Sequence, residues 1–337
     1  METKLLSNST ADLQEAAHLL KEGNVVGIPT ETVYGLAADA RNPEAVRQIF
    51  AAKGRPADNP LIVHIAKLEE LEGVAVSVPE LALKLAEKFW PGPLTMILPK
   101  HPSIPVITSG GLDTVGVRMP SHPVARKLIE LSGVPIAAPS ANISGYPSPT
   151  TAQHVMRDMH GKIAAVVDGG DCRVGVESTV IALEGEDSVR ILRPGYVTKE
   201  MLETVVPHVT LDKAILHQLQ EGQTVRSPGM KYQHYSPHAH VTLIEGRWPE
   251  FAAWVQQHAE AGTYALVFDG EGADLSVPYL TYGTGDAEQA HQVFAKLREL
   301  DDIGAKRVFV RAPNPNGIGL AVYNRLIRAA GFEVIQV

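Results

Sequence analysis

The sequence predicts a mixed α/β fold divided between two domains. The first two hundred or so residues alternate short apolar runs, typical of buried strands, with segments of helical periodicity. A second alternation of this kind fills about the last hundred residues, and 337 residues is about twice a common domain length. We therefore expect a larger N-terminal domain on a mixed sheet and a smaller C-terminal, three-layer domain on a parallel sheet.

The N-terminal elements follow from apolar runs and helical spacing. Strands are predicted at 25–28, 61–65, 94–98, 115–118, 135–138, 164–167, 178–182 and 189–192. Helices are predicted at 45–52, 79–89, 124–131 and 152–159, followed by two shorter ones at 199–205 and 211–219.

Residues 221–240 show no apolar period and contain Ser227-Pro228-Gly229 and Ser236-Pro237, which indicates a linker. Strands at 241–244, 264–268, 307–310 and 332–335 then alternate with helices at 249–259, 287–300 and 320–330. The predicted domains are therefore 1–208 and 241–337, with a linker or lid at 209–240.

Composition and charge exclude several classes of protein. The net charge of −8 argues against electrostatic capture of nucleic acid or anionic membrane by the whole surface. The single cysteine, Cys172, forms neither an internal disulfide nor a cysteine-type zinc site. No segment has the pattern of a signal peptide or a membrane helix, so we expect a cytoplasmic protein without membrane contact.

The common motifs for phosphate binding and hydrolysis are missing, including the P-loop, the dinucleotide fingerprint, H-E-x-x-H and the nucleophile elbow. His234, His238 and His240 form the one histidine cluster, with no carboxylate or thiol between them. Surface histidines in a linker explain this cluster better than a metal site does, so we expect no metal ligands in the chain.

Polar and cationic groups follow the predicted strands instead. The loop at 29–36 is rich in hydroxyl groups, and the loop at 137–149 offers many neutral hydrogen-bonding groups and no charge. Lys53 and Arg55 leave a helix end, where they suit phosphate oxygens but also complement a helix dipole. His64 lies in an apolar run, where a hydrogen-bonded core residue is more common than a ligand contact. Arg118 closes a strand and needs an anion or exposure. With Arg193, these groups fit a nucleoside triphosphate held without a P-loop.

At these positions the sequence resembles the YrdC/YwlC family of L-threonylcarbamoyladenylate synthases. The matching runs are Pro29-Thr-Glu-Thr-Val-Tyr-Gly-Leu, Lys53-Gly-Arg-Pro, Asn59-Pro-Leu-Ile-Val-His, Phe89-Trp-Pro-Gly-Pro-Leu-Thr, Gly116-Val-Arg-Met-Pro, Ala138-Pro-Ser-Ala-Asn-Ile-Ser-Gly, Glu177-Ser-Thr-Val and Arg193-Pro-Gly. They are collinear over about residues 13–195, and the linker and last domain resemble the long, two-domain form of the family. The resemblance implies a YrdC-like N-terminal domain with a twisted mixed sheet and a Rossmann-like C-terminal domain.

The resemblance also implies a nucleotidyltransferase that makes threonylcarbamoyl-AMP and pyrophosphate from L-threonine, bicarbonate or CO2, and ATP with Mg²⁺. The implied partners are tRNA threonylcarbamoyl-transfer enzymes, which modify the adenosine beside the anticodon, together with a weak contact to tRNA itself. The implied threonine site consists of Thr32, His64, Arg118, Ala138 and Ser178. The implied ATP site consists of Lys53, Arg55, Asn59, Thr114, Ser140, Asn142, Ser148, Arg193 and, from the linker, Tyr232, with Lys53 and Arg55 as the catalytic pair.

Two other functions fit parts of the sequence. A non-catalytic RNA-binding protein could use a cation-rimmed concave domain, although the chain is acidic and lacks an aromatic-rich strand for base stacking. A carbamoyl-transferring maturation enzyme shares the adenylation chemistry but carries zinc-finger regions, which one cysteine does not allow.

Overall fold

The computed structural model describes residues 2–217 and 234–337, which group into two compact units. Within the described ranges, the first unit comprises residues 2–144 and 148–215, and the second comprises 145–147, 216–217 and 234–337. Each unit contains its own sheet. None of the helices in these ranges is both long and apolar enough to cross a membrane.

The first unit contains eleven described strands and six described α-helices. The strands are β1 (Lys4–Leu6), β2 (Val26–Ile28), β3 (Gly35–Asp39), β4 (Ile62–His64), β5 (Leu94–Pro99), β6 (Thr114–Arg118), β7 (Ile136–Ala137), β8 (Ala165–Val167), β9 (Thr179–Leu183), β10 (Ser188–Arg193) and β11 (His208–Leu211). The helices are α1 (Thr10–Lys21), α2 (Pro43–Lys53), α3 (Glu80–Phe89), α4 (Pro123–Ser132), α5 (Ala152–Met159) and α6 (Lys199–Glu203), with short 3₁₀ helices at Leu68–Gly73 and Lys213–Ile215.

These strands form one mixed sheet in the order β1-β8-β2-β3-β7-β4-β6-β5-β9-β10-β11. The pairs β4–β6 and β5–β9 are parallel, whereas β5–β6, β4–β7 and β9–β10 are antiparallel. The predicted mixed α/β class is therefore confirmed for this unit.

Helix α2 shows how the sequence sets the position of a later site residue. The side chain of Asn42 accepts hydrogen bonds from the first backbone amides of the helix, Pro43 occupies the first turn, and Gly54 ends the helix in the left-handed conformation at φ 65°. The apolar face of α2 is buried, so the helix and its last residue, Lys53, are fixed against the unit.

The second unit contains a five-stranded, all-parallel sheet. Its strands are β12 (His240–Glu245), β13 (Thr263–Val267), β14 (Tyr279–Thr281), β15 (Arg307–Arg311) and β16 (Val334–Gln336), in the order β14-β13-β15-β12-β16. Helices α7 (Trp248–His258), α8 (Asp286–Asp302) and α9 (Gly319–Ala329) connect them. The predicted Rossmann-like class of the C-terminal domain is confirmed.

Four strands, β1, β3, β11 and β14, were not predicted. Three of the four have only three or four residues, and β3 consists of Gly35-Leu-Ala-Ala-Asp39, which carries no β-branched residue. The helix predicted at 211–219 is wrong over 211–215: residues 208–211 extend the sheet by pairing with β10, and a short 3₁₀ helix follows. Tertiary pairing overrides the helical spacing there. The domain boundaries stay a prediction, because much of the predicted linker lies outside the described residues.

Candidate active site

The site is built on one face of four adjacent strands, β4, β6, β5 and β9. In register, His64 pairs with Arg118, both Ile62 and Ile97 pair with Gly116, and Thr95 pairs with Val180. Paired residues, and residues two apart along a strand, point to the same face of a sheet. Thr114, Gly116 and Arg118 therefore share that face with His64 and Thr95.

The floor of this face is apolar. Ile62, Val180 and Leu192 form a small buried cluster, with Ile97 and Ala182 only partly buried against it. Gly116 adds no side chain, and a Cβ there would lie 3.2 Å from Thr95 Cγ2. An apolar floor beside a few polar groups is typical of a small-molecule site.

Arg118 is buried, and each nitrogen of its guanidinium contacts a neighbour from one of two loops. Its Nε donates to the Gly92 carbonyl at 3.3 Å, its Nη1 donates to Thr32 Oγ1 at 3.0 Å, and its Nη2 lies 2.7 Å from Glu31 Oε1. Burial raises the pKa of the Glu31 carboxyl, but the charge of Arg118 and nearby backbone amides outweigh burial, so the net shift is downward. Glu31 and Arg118 are therefore a buried ion pair.

The loop that carries Thr32 is tied to two other loops by backbone hydrogen bonds. The Tyr34 amide donates to the Pro149 carbonyl, and the Ala141 amide donates to the Tyr34 carbonyl, both at 2.9 Å. The Gly175 amide donates to the Thr32 carbonyl at 3.0 Å. The hydroxyl-rich loop after β2 is therefore held beside the uncharged loop after β7, as the motif spacing alone could not show.

His64 is buried at 3% exposure, and its Nδ1 has no hydrogen-bond partner among the described residues. Burial and the neighbouring charge of Arg118 lower the pKa of His64 from 6.5 to about 3. The imidazole is therefore neutral at physiological pH, with one buried nitrogen available to a ligand.

Lys53 holds the loop that follows β7. Its ammonium group donates to the carbonyls of Ser140 and Asn142 at 2.5 and 2.8 Å, and the Ser144 amide donates back to the Lys53 carbonyl at 2.9 Å. Burial, followed by the charge of Arg55, lowers the pKa of Lys53 well below its ordinary value. An anion placed near this buried ammonium would oppose that shift.

Arg55 and Asn59 lie in the turn that connects α2 to β4. Arg55 Nη2 donates to the Asn59 carbonyl at 3.3 Å, and the guanidinium lies 5.3 Å from the centre of the Phe50 ring. The Asn59 side chain is completely buried, and neither its amide nitrogen nor its oxygen has a hydrogen-bond partner in the described ranges. Such a group is costly to bury unless a ligand satisfies it.

Ser148, Ser178 and Arg193 complete the set on the β9 side. Ser148 donates to a Glu177 carboxylate oxygen at 2.5 Å, and Ser178 Oγ lies 2.8 Å from Thr95 Oγ1. Arg193 donates to both the carbonyl and the hydroxyl of Ser178. Two predicted site residues, Ser148 and Arg193, therefore both contact the Glu177-Ser-Thr motif.

The remaining predicted residues are placed as follows. Thr114 begins β6, about 13 Å along the strand from Arg118. Ala138 is buried, and its amide donates to the Ile62 carbonyl at 3.0 Å. Asn142 donates through its amide nitrogen to the Ile143 carbonyl at 2.8 Å. Tyr232 lies outside the described residues.

Sequence reasoning quoted Glu31, Thr95 and Glu177 within motifs but gave them no role. For Glu31 and Glu177 the available signal was a carboxyl group inside a hydroxyl-rich motif, because a carboxylate without nearby cations is rarely buried. The motif of Thr95 carries no such signal. Across residues 2–217 and 234–337, no group of three or more His, Cys, Asp or Glu residues is arranged to hold a metal ion.

Comparisons with known proteins show the family of the chain. A family described as "Telomere recombination" matches residues 18–195, and one described as "Threonylcarbamoyl-AMP synthase, C-terminal domain" matches residues 197–331. The chain is 46% identical to the threonylcarbamoyl-AMP synthase of Pyrococcus abyssi, covering 96% of this chain and 95% of that protein. It is 44% identical to the enzyme of the same name from Bacillus subtilis, covering 99% and 97%.

A solved structure is similar over the same length. The crystal structure of P. abyssi Sua5 complexed with L-threonine matches with a TM-score of 0.93 and 44% identity, covering 100% of both chains. The resemblance found in the motifs is thereby confirmed over both domains. The chain belongs to the threonylcarbamoyl-AMP synthase family, in its long form with a YrdC-like domain and a C-terminal Sua5 domain.

Proposed function

We propose that this protein is an L-threonylcarbamoyladenylate synthase, a nucleotidyltransferase acting on ATP. The threonine amine attacks the carbon of CO2 and loses a proton, which gives a carbamate. A carbamate oxygen then attacks the α-phosphorus of ATP, forming threonylcarbamoyl-AMP as pyrophosphate leaves. Starting from bicarbonate, one water is released as well.

One observation carries this proposal. Buried cations and hydroxyl groups from distant parts of the first unit share one sheet face and the loops bonded to it, beside three buried side chains with unpartnered atoms, Glu31, Asn59 and His64. Proteins rarely bury so many polar atoms without partners, so their presence points to a polar ligand.

We assign the Arg118 end of the face to threonine. Arg118 would bind the carboxylate of the amino acid, with Thr32 and His64 beside it. Ala138 and Ser178 would complete the threonine site. This assignment uses the neutral state of His64, which lets its Nδ1 accept or donate one hydrogen bond without adding charge.

We assign to the nucleotide the loops at the other ends of the strands, together with Ser148 and Arg193 beside the Glu177-Ser178 motif. The proposed ATP-binding residues are Lys53, Arg55, Asn59, Thr114, Ser140, Asn142, Ser148, Arg193 and Tyr232, with Lys53 and Arg55 nearest the reacting phosphate. Their contribution is position and positive charge, because a phosphoryl transfer needs in-line geometry and neutralised oxygens more than a protein nucleophile. Exclusion of water protects the carbamate from decomposition.

Mg²⁺ fits this site as a companion of the nucleotide. The donor groups in the described site are cations, hydroxyls and amides, and the two carboxylates, Glu31 and Glu177, contact Arg118 and Ser148. The phosphate oxygens and water would therefore hold the ion, which supplies neutralisation of phosphate charge when bound. The chain's own residues would hold the phosphates around it.

The product is a reactive mixed anhydride, so another enzyme must take it up promptly. We propose that cytoplasmic tRNA threonylcarbamoyl-transfer enzymes receive it and transfer the threonylcarbamoyl group to the adenosine beside the anticodon. The net charge of −8 fits a weak rather than a strong contact of this protein with tRNA.

The test is to incubate the protein with ATP, Mg²⁺, bicarbonate and labelled L-threonine. Pyrophosphate and labelled threonylcarbamoyl-AMP should form together and only when threonine is present. Arg118→Ala should raise the KM for threonine much more than the KM for ATP, because Arg118 is assigned to the carboxylate of threonine and makes no proposed contact with ATP. Absence of the labelled anhydride from the wild-type reaction would contradict the proposal.

A further inference from the structure

The carboxylate of Glu31 has more capacity to accept hydrogen bonds than its neighbours use. The residue is 3% exposed, and within the described ranges neither of its oxygens makes a well-aligned hydrogen bond, although the backbone amides of Glu31 and Ser121 lie near the carboxylate. Its nearest cationic group is Arg118 Nη2 at 2.7 Å. An ionised carboxylate accepts about four hydrogen bonds, and burying it with fewer is costly.

Arg118 beside it retains donors as well. A guanidinium has about five N–H groups. Gly92, Thr32 and Glu31 engage one on each nitrogen, which leaves one on Nη1 and one on Nη2. Two parallel N–H groups of this kind bind a carboxylate bidentately.

The pair therefore offers two N–H donors on Arg118 beside the carboxylate acceptor of Glu31, and it carries no net charge. A free amino acid is a zwitterion with the complementary pattern and also no net charge. A hydroxy acid of the same shape lacks the ammonium group, so it would bring one unbalanced negative charge into a buried place.

We infer that Glu31 is a specificity-determining residue, which accepts hydrogen bonds from the α-ammonium group of the substrate while Arg118 binds the carboxylate of the same molecule. The inference rests on the proposed function, since it takes threonine as the substrate. Holding the nitrogen there places it beside His64, the in-register neighbour of Arg118.

The test compares L-threonine with (R)-3-hydroxybutanoate, which has the same carbon skeleton and hydroxyl group but no amino group. Affinities are measured calorimetrically without ATP, on the full chain. The wild type should prefer threonine about 10- to 100-fold, the range for a charge-assisted hydrogen bond. Glu31→Gln should lose most of that preference, because the uncompensated Arg118 then favours an anion.

The ratio of the two affinities separates recognition from a structural role. If Glu31 only held Arg118 in place, Glu31→Gln would weaken both ligands alike and the ratio would not change, which would overturn the inference. Glu184→Gln is the matched control, since it breaks another Glu–Arg pair of the same unit, 2.6 Å from Arg190 and partly exposed. Its ratio should equal that of the wild type.

If Glu31→Gln does not fold, two other measurements decide. Glu31→Asp keeps the charge on a shorter side chain and should keep a reduced preference for threonine. Equal binding of the two ligands by the wild type would overturn the inference outright. If the wild type makes the anhydride but Glu31→Gln keeps the full preference for threonine, this inference is overturned and the proposed function stands. If the affinity ratios are as predicted but no anhydride forms, the proposed function is overturned and this inference stands.

Discussion

Lys53 is a cation kept in a place that disfavours its charge. Its ammonium group has two carbonyl partners, yet burial and Arg55 lower its pKa well below the ordinary value. A triphosphate nearby would stabilise the ammonium form and raise that pKa. Binding of ATP should therefore be accompanied by uptake of up to about one proton, and should weaken as the pH rises.

This proton uptake is measurable by titrating ATP calorimetrically in Tris and HEPES, which have different ionisation enthalpies. Lys53→Met, which keeps the length of the side chain and removes its charge, is expected to abolish the uptake. The same uptake in Lys53→Met would assign the proton to another group.

His64 makes a separate prediction about stability. Its pKa is about 3 in the folded protein against 6.5 ordinarily, so the unfolded chain binds more protons between these values. Stability contributed by the neutral imidazole is therefore present above about pH 6.5 and is lost as the pH falls toward 3. At pH 5 the loss relative to pH 7.5 should be about 2 kcal/mol.

Urea unfolding of the wild type and His64→Gln at both pH values tests this directly. The variant should lose less stability on acidification than the wild type, whatever its stability at pH 7.5. His208→Gln, at an exposed position of the same unit, serves as the control. An equal acid loss in the wild type and His64→Gln would refute the assignment.

At the scale of elements, the close approach of two segments near β9 leaves no room for a side chain. A Cβ on Gly195 would lie 2.4 Å from the Thr179 amide nitrogen and 2.7 Å from the Glu177 carbonyl oxygen. Gly195→Ala must therefore displace the motif that carries Ser178, and should cost about 1–3 kcal/mol of stability and much of the threonine affinity. Gly285→Ala, with open space around its Cβ, should have little effect on either quantity.

The sequence predicted most elements from apolar runs, because buried strands such as β5 and β6 are themselves apolar and long enough to be recognised. It could not predict β3, whose small residues become a strand only through pairing with β2 and β7. Thr32, His64 and Arg118 were likewise assigned to one threonine site, through the resemblance of their motifs to those of the family. That Glu31 would be paired with Arg118 depends on three-dimensional packing of separate loops, which spacing does not contain.

At the scale of the whole molecule, the end of the first unit can be tested by truncation. β11 pairs with β10 over four residues and buries Val209. A fragment of residues 1–207 should therefore be less stable than one of residues 1–217, by about 2 kcal/mol for the valine alone, or about 4–8 °C in Tm. Thermal unfolding of the two fragments makes the comparison, and equal Tm values would show that β11 adds nothing.

The order of strands in the large sheet also bears on how the chain is made. Among the described strands β1 pairs only with β8, so the partner of Lys4, Ala165, is synthesised about 160 positions later. At ribosomal speeds of about 5–20 residues per second, that partner arrives roughly 8–32 s after the first strand emerges. The N-terminus therefore remains an unpaired strand edge for about half of translation, and we expect chaperones that recognise extended segments to bind it during that interval.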